Sequence, residues 1–306
     1  MRRDRPPRRR TEPGVPHQLS KRRPRPSAVA TFALVASALA APLAAQSFCR
    51  PPASSNEAKT LAISSVPLAF GPATAPEILP GLRVGLEGAY LPKVDPATAT
   101  PTICRPGQGP LNTDLVFALP RPRIGLPLPF GLALQASWIP PVRIAGAKAN
   151  LFGFSVAKSF GRLDGLVAAI RAHGTFGWIR GPITCDDVAL TDVTSECFHG
   201  TRSDDKYSPN IFGADLSLGW TMAGGRLRPY LGGGYNRLQP RVQVNFTNQF
   251  GILDSTRIEV NLNRGVVFGG ATWQLADRLG VTAEVYAAPA DAVTGRLIVR
   301  TAIGPN

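Results

Sequence analysis

Charge is scarce in this sequence: Asp, Glu, Lys and Arg make up 18% of its 306 residues, against the roughly 25% usual in soluble domains. Histidine and cysteine are scarcer, with three and four copies. No two cysteines stand at the two-to-four-residue spacing of a zinc site, which argues against a structural zinc. A dense basic run is missing after Arg25. The formal net charge of +14 therefore does not describe a nucleic-acid footprint, since ten of the 34 Lys/Arg lie before residue 48. Long helices are disfavoured by 31 Gly and 30 Pro. The apolar stretch AVATFALVASALAAPLAA at 28–45 is a poor transmembrane helix, being Ala-rich and interrupted by Pro42.

That stretch follows the cationic KRRPRPSAV and ends in AQS at 45–47. A basic flank, a short apolar core and a small-x-small site describe a secretory signal peptide over residues 1–47, cleaved after Ala45 or Ser47. The cysteines agree with export, because an even number in a secreted chain tends to pair. Cys185 and Cys197 bracket an acidic loop, CDDVALTDVTSEC, and read as a loop-closing disulfide. Cys49 and Cys104 share the local text CRP and pair by elimination.

After residue 80 the sequence alternates with a period of two. LRVGLEGAYL sets Leu82, Val84, Leu86 and Tyr90 on one face; FGADLSLGW sets Phe212, Ala214, Leu216, Leu218 and Trp220 against Asp215 and Ser217. The same pattern runs through GLALQASW, LFGFSVAKSF, LVAAIRAHGTFGW and VTAEVY. Segments of about nine to eleven residues span a bilayer when tilted. Connections alternate in length. Short turns fall at Pro127–Phe130, Phe160–Gly165, Met222–Arg226 and Ala276–Gly280; long ones run over 92–112, 179–209 and 246–256, with a shorter pair near 140–148 and 288–295. This predicts an all-β, antiparallel transmembrane barrel over 81–306 of about ten strands (10–12), with short periplasmic turns and longer extracellular loops.

Aromatics mark the two interfaces. Tyr90, Trp138 and Trp178 fall at the outer ends of strands, and Phe160, Trp220 and Trp273 at the inner ends, all in the apolar phase. RVQVNF at 241–246 and RIEVNL at 257–262 should form a hairpin projecting outside the membrane. The apolar phase shifts between Tyr235 and Val242, and again between Leu262 and Val267, which marks Pro240 and Gly265 as bulge or bend sites. Arg83, Glu87, Arg171, Asp215, Arg228 and Glu284 occupy the opposite, lumen-facing phase. Three bases and three acids then compose either a neutralised network filling a narrow barrel or a charged constriction selecting a solute. Residues 48–80, rich in Ala, Pro and Ser, form a periplasmic segment, a lumen plug pinned outside by Cys49–Cys104, or an extra strand.

The whole pattern resembles the outer-membrane β-barrel proteins of diderm bacteria, without a specific family motif. The resemblance implies export to the outer membrane, contact with outer-membrane lipid and with a barrel-assembly machinery, and no cofactor or nucleic acid. It implies a non-enzymatic role as a narrow porin-like channel for a small solute or as a structural or binding barrel. One departure is the end, GRLIVRTAIGPN, which carries Ile303 where such proteins commonly finish on an aromatic. The alternatives are a soluble periplasmic lipocalin-like carrier and an omptin-like hydrolase. Omptins resemble this chain in length and strand count, and they use Asp–Asp and Asp–His pairs at the outer rim. Here Asp186, Asp187, His199, Asp204 and Asp205 share one outside loop, but the omptin-like Asp-x-His spacing is missing.

Overall fold

The computed structural model describes residues 48–303 apart from Ala145 and Asp164; the expected signal peptide lies outside the described residues. Ten strands form the wall: β1 Leu82–Tyr90, β2 Ala118–Leu128, β3 Leu132–Ile139, β4 Ala147–Leu163, β5 Leu166–Gly181, β6 Ile211–Trp220, β7 Leu227–Leu238, β8 Leu262–Gln274, β9 Leu279–Ala288 and β10 Ala292–Ile303. Each pairs antiparallel with the wall strand before and after it. β10 pairs back onto β1, from Arg296↔Ala89 to Ile303↔Leu82, and closes the cylinder. The final strand therefore forms without a terminal aromatic, because its own alternation suffices: Arg296, Ile298 and Arg300 point in while Leu297 and Val299 point out.

Alternation decides which face meets lipid. Leu86, Ile124, Phe154, Ile170, Phe212, Leu216, Leu231, Val267, Val285 and Leu297 are all exposed on the outer wall. A contiguous apolar surface of this extent is a lipid-facing band. The inward positions of the same strands carry Glu87, Arg171, Asp215, Thr272 and Glu284, all buried.

β4 and β5 are 17 and 16 residues long, longer than a membrane crossing requires. Their extra length rises above the outer aromatic level, where Lys148 pairs with Arg180. On the far wall Arg237↔Asn263 marks the same boundary above Tyr235.

Beyond that boundary the polarity of the two faces inverts. The β7–β8 register runs without a slip from Leu227↔Trp273 to Leu238↔Leu262, through Tyr235↔Gly265. Asn236, Leu238, Val242 and Val244 are buried in one continuous inward phase. Gly265 is therefore no bulge, and Pro240 interrupts the strand without changing which side faces in. The apparent phase shift has another cause: outside the bilayer water replaces lipid, so apolar side chains turn to the interior.

The predicted hairpin is present, with Arg241–Gln243 paired to Arg257–Glu259. It joins a small outer sheet through Asp205–Ser208 to the top of β5, and Phe48–Cys49 adds to Arg257–Ile258 in parallel. Helix α1, Asn56–Ser65, packs inside this cap. Ser55 is its N-cap, its hydroxyl accepting from the Ala58 amide at 3.1 Å.

Candidate functional site

The site is the interior of the barrel, and the chain itself occupies it. Past α1 the backbone runs down through the lumen from Val66 to Pro80 and joins β1 at the lower end. Pro67, Pro72 and Pro76 punctuate this stretch. Proline keeps its carbonyl acceptor but has no N–H to donate. The segment is thus rich in acceptors, and the wall around it is rich in donors.

Seven arginines line the lumen phase (Arg83, Arg121, Arg123, Arg171, Arg228, Arg296 and Arg300) and face four carboxylates, Glu77, Glu87, Asp215 and Glu284. The network is therefore not balanced by carboxylates alone, as the sequence suggested. Carbonyl groups of the threaded segment take up the excess. Arg121 donates to the Leu68 carbonyl at 3.2 Å, Arg123 to the Gly71 carbonyl at 3.0 Å, and Arg296 to the Ala69 carbonyl at 2.9 Å. Of the few amides the segment offers, Ala73 donates to Glu284 at 2.9 Å and Ala75 to the Thr272 hydroxyl at 3.0 Å.

The charged groups are grouped by height. Lowest, Glu77 accepts from Arg228 at 2.5 Å and from Arg300. Among the described residues Arg83, a neighbour of this group, has no carboxylate within ion-pair distance. In the middle, Glu87 sits between Arg121 and Arg123, and Arg171 chelates Asp215, with His173 Nε2 3.4 Å from the same carboxylate. Glu284 takes Arg296 at 3.2 Å and the Tyr230 hydroxyl at 2.9 Å. Of the six residues predicted from sequence, only Arg171 and Asp215 pair with each other. Glu87, Arg228 and Glu284 each pair with a residue the sequence reading did not name.

Phe70 is the centre of the plug and is fully buried. The Arg123 guanidinium lies 4.0 Å from its ring centroid and that of Arg121 5.2 Å. The wall makes room for it with Gly153, where a Cβ would stand 2.6 Å from the ring.

Above this charged layer the interior is apolar. Leu61, Val66, Leu119, Ile139, Leu151, Ile211, Leu238 and Ile258 form one buried cluster around α1. The cap is fastened from several directions. Cys49 is bonded to Cys104 and Cys185 to Cys197. Arg105 joins three loops through Glu196 at 2.6 Å and Asp254 at 3.1 Å. Burial would raise the Glu57 carboxyl, but the amides of Cys104, Ile103 and Thr102 outweigh it and hold the group below its usual range. Burial pushes Asp205 up, although it accepts from the amides of Asn245 and Thr184 and from the Ser203 hydroxyl. Burial likewise pushes Glu196 up against the opposing charge of Arg105.

The acidic residues of the outside loop are engaged separately. Asp186 accepts from Asn112 at 2.8 Å, Asp187 meets Arg202 at 3.5 Å, and Asp204 meets Arg180 at 3.5 Å. His199 adopts φ 52° and stacks on Phe198. Among the described residues no three His, Cys, Asp or Glu side chains converge as a metal site.

The predicted interfacial aromatics lie where two belts would be. Tyr90, Trp138, Phe160, Trp220 and Trp273 are exposed on the outer wall, and Trp178 is half-buried under Arg180. The outer belt also contains Phe152 and Phe176, stacked in line with Trp138.

Arg121, Arg123, Arg296 and Arg300 were legible as inward-phase arginines alternating with Pro122, Leu297 and Val299. Glu77 and Phe70 had no such signal, since a threaded segment has no period.

No protein-family model matches the chain, and no curated protein matches it in sequence. Solved structures similar to it include bacterial outer-membrane proteins. The translocator domain of the autotransporter NalP from Neisseria meningitidis is 11% identical over 81% of this chain and 95% of its own, with a TM-score of 0.30. Ail, the attachment invasion locus protein of Yersinia pestis, is 8% identical over 72% of this chain and 95% of its own, at a TM-score of 0.29. A loop-deletion form of OmpT, an outer membrane protein of Vibrio cholerae, is 12% identical over 60% of this chain, at a TM-score of 0.26; the chain spans about half (53%) of its length. With its apolar outer wall, ionic interior and closed ten-strand meander, the chain is an antiparallel ten-strand β-barrel.

Proposed function

We propose that this protein is a non-enzymatic barrel of the outer membrane, exported and inserted by a barrel-assembly machinery, that scaffolds or binds and does not conduct in its resting state. The observation that carries this reading is the threaded segment 66–80. Its carbonyls and Glu77 hold arginines from β2, β7 and β10, so the bore is filled by bonds that a passing solute would have to replace. A porin-like channel for a small solute requires that segment to leave. The loops contribute a disulfide-bonded outer cap, in which Asp186, Asp187 and Asp204 are engaged by Asn112, Arg202 and Arg180.

Conductance of the purified, refolded protein in a planar bilayer tests this. The expected result is no steady current steps for the wild-type chain. Steps should appear when the segment's anchors are removed together by Glu77→Gln and Phe70→Ala. Steady stepwise conductance of the wild-type protein would overturn the proposal in favour of the channel.

A further inference from the structure

The wall is not uniformly hydrogen-bonded. β1 pairs with β2 as far as Tyr90↔Ala118, and β3 pairs with β4 as far as Ile139↔Leu151. Between them, the β2–β3 ladder stops lower, at Arg123↔Ser137. Residues 118–122 of β2 therefore have no ladder partner on the β3 side. The sequence gives the reason. In an antiparallel sheet alternate residues donate to alternate neighbours. Pro120 and Pro122 share one parity and have no N–H. Their pairing with Gly88 and Leu86 persists, so the missing donors are those that would face β3. Pro140 and Pro141 follow β3 and offer no donors from the other side. The two strands part at the height of Trp138, in the outer aromatic belt.

Behind this seam lies a cavity of about 110 Å³. Leu61 of α1, Leu119, Ile139, Ala149, Ile179 and Val242 line it, and no charged side chain does. Five polar residues also line it, and three of them are engaged elsewhere: the Tyr207 hydroxyl shares a 2.7 Å hydrogen bond with Ser65, Thr60 donates to the Thr98 carbonyl, and Asn112 donates to Asp186; Ser64 and Thr113 are the other two. A cavity of this order lined by Leu and Ile stays dry and takes one benzene-sized molecule. Phe117 and Val142 are exposed apolar side chains beside the seam.

We infer that this cavity binds a small neutral hydrocarbon group, a single ring or the end of an alkyl chain, which enters sideways from the outer leaflet between β2 and β3. The site needs the barrel in a bilayer but does not need a closed lumen. A conducting wild-type protein would overturn the preceding proposal and leave this one standing.

The test is photolabelling of the full refolded chain in phosphatidylcholine vesicles with a phenyl-diazirine, mapped by mass spectrometry. Peptides carrying Leu61 and Leu119 should be labelled, and excess benzene should reduce that labelling at least fivefold. Lipid-facing Leu216 and Leu231 on the opposite wall should be labelled without such competition. Ala149→Trp, which fills the cavity, should cut the Leu61 and Leu119 signal about tenfold and leave Leu216 unchanged. Pro120→Val with Pro122→Val, which restores two donors to the seam, should reduce it as well. Heat-modifiable gel mobility confirms that each variant folds. A second arm carries the diazirine on a phospholipid chain end. Labelling of the cavity in this arm identifies the occupant as a bilayer acyl chain, and labelling by the free probe alone identifies a separate small molecule. Cavity peptides labelled no more than the water-facing cap in both arms, or labelling indifferent to all three substitutions, would overturn the inference.

Discussion

Glu77 shows how much a single carboxylate does here. It lies in an aperiodic, proline-rich stretch, yet it answers both Arg228 and Arg300. Removing one partner of a buried ion pair leaves the other charge uncompensated, which costs about 3 kcal/mol or more. Glu77→Gln should therefore lower the thermal midpoint of the refolded barrel and expose residues 66–80 to protease. An unchanged midpoint would show the segment to be held by its carbonyls alone. Gly153 makes a second residue-level case. A Cβ there would stand 2.5 Å from the Ser137 hydroxyl and 2.6 Å from Phe70. Gly153→Ala should cost about 1–3 kcal/mol by overpacking. Adding Phe70→Leu should recover part of that loss, and the double-mutant cycle by denaturant titration in vesicles measures the coupling. Strict additivity would refute the contact.

At the scale of the element, α1 and its cap depend on covalent and titratable ties. The Cys49–Cys104 bond spans 55 residues and the Cys185–Cys197 bond 12. In the chain-entropy account these contribute about 4 and about 3 kcal/mol. Loss of the longer bond in Cys49→Ser/Cys104→Ser should then open α1 to hydrogen exchange more than loss of the shorter one. The cap should also have a pH optimum. The Glu57 pKa is depressed by folding, so its stabilisation is full above the unfolded value and is lost as pH falls through the folded one. Glu196 and Asp205 are raised, so they oppose folding at neutral pH and cease to do so once protonated. Exchange protection of α1 should rise as pH falls from neutral through the raised pKa values of Glu196 and Asp205, and fall at still lower pH as Glu57 is protonated. A steady loss of protection over the whole acid limb would contradict these directions.

For the molecule as a whole, the greasy wall and the ionic interior face different media. Leu216 stands at mid-height on β6 and is 63% exposed. Leu216→Arg should destabilise the barrel in vesicles by about 2–4 kcal/mol, as a cation at the bilayer midplane does. Its neighbour Ser217 points inward, and Ser217→Ala should cost far less. Equal losses at both positions, read from guanidinium titrations, would deny that the two faces meet different media.

The sequence by itself determined the wall strands, their order, the closed meander and which residues of a strand share a face, because a period of two is a local property and every short segment declares it. Arg83, Glu87, Arg171, Asp215, Arg228 and Glu284 were placed in the lumen phase on that ground alone. Tertiary structure decided what those charges touch, because a barrel brings together residues on non-adjacent strands and adds a threaded segment with no period to read. It also decided that Val242 and Leu262 face inward under an unbroken register. Alternation tells which residues share a face, but the medium on each side, lipid below the outer belt and water above it, is fixed only once the height of the strand in the folded molecule is known.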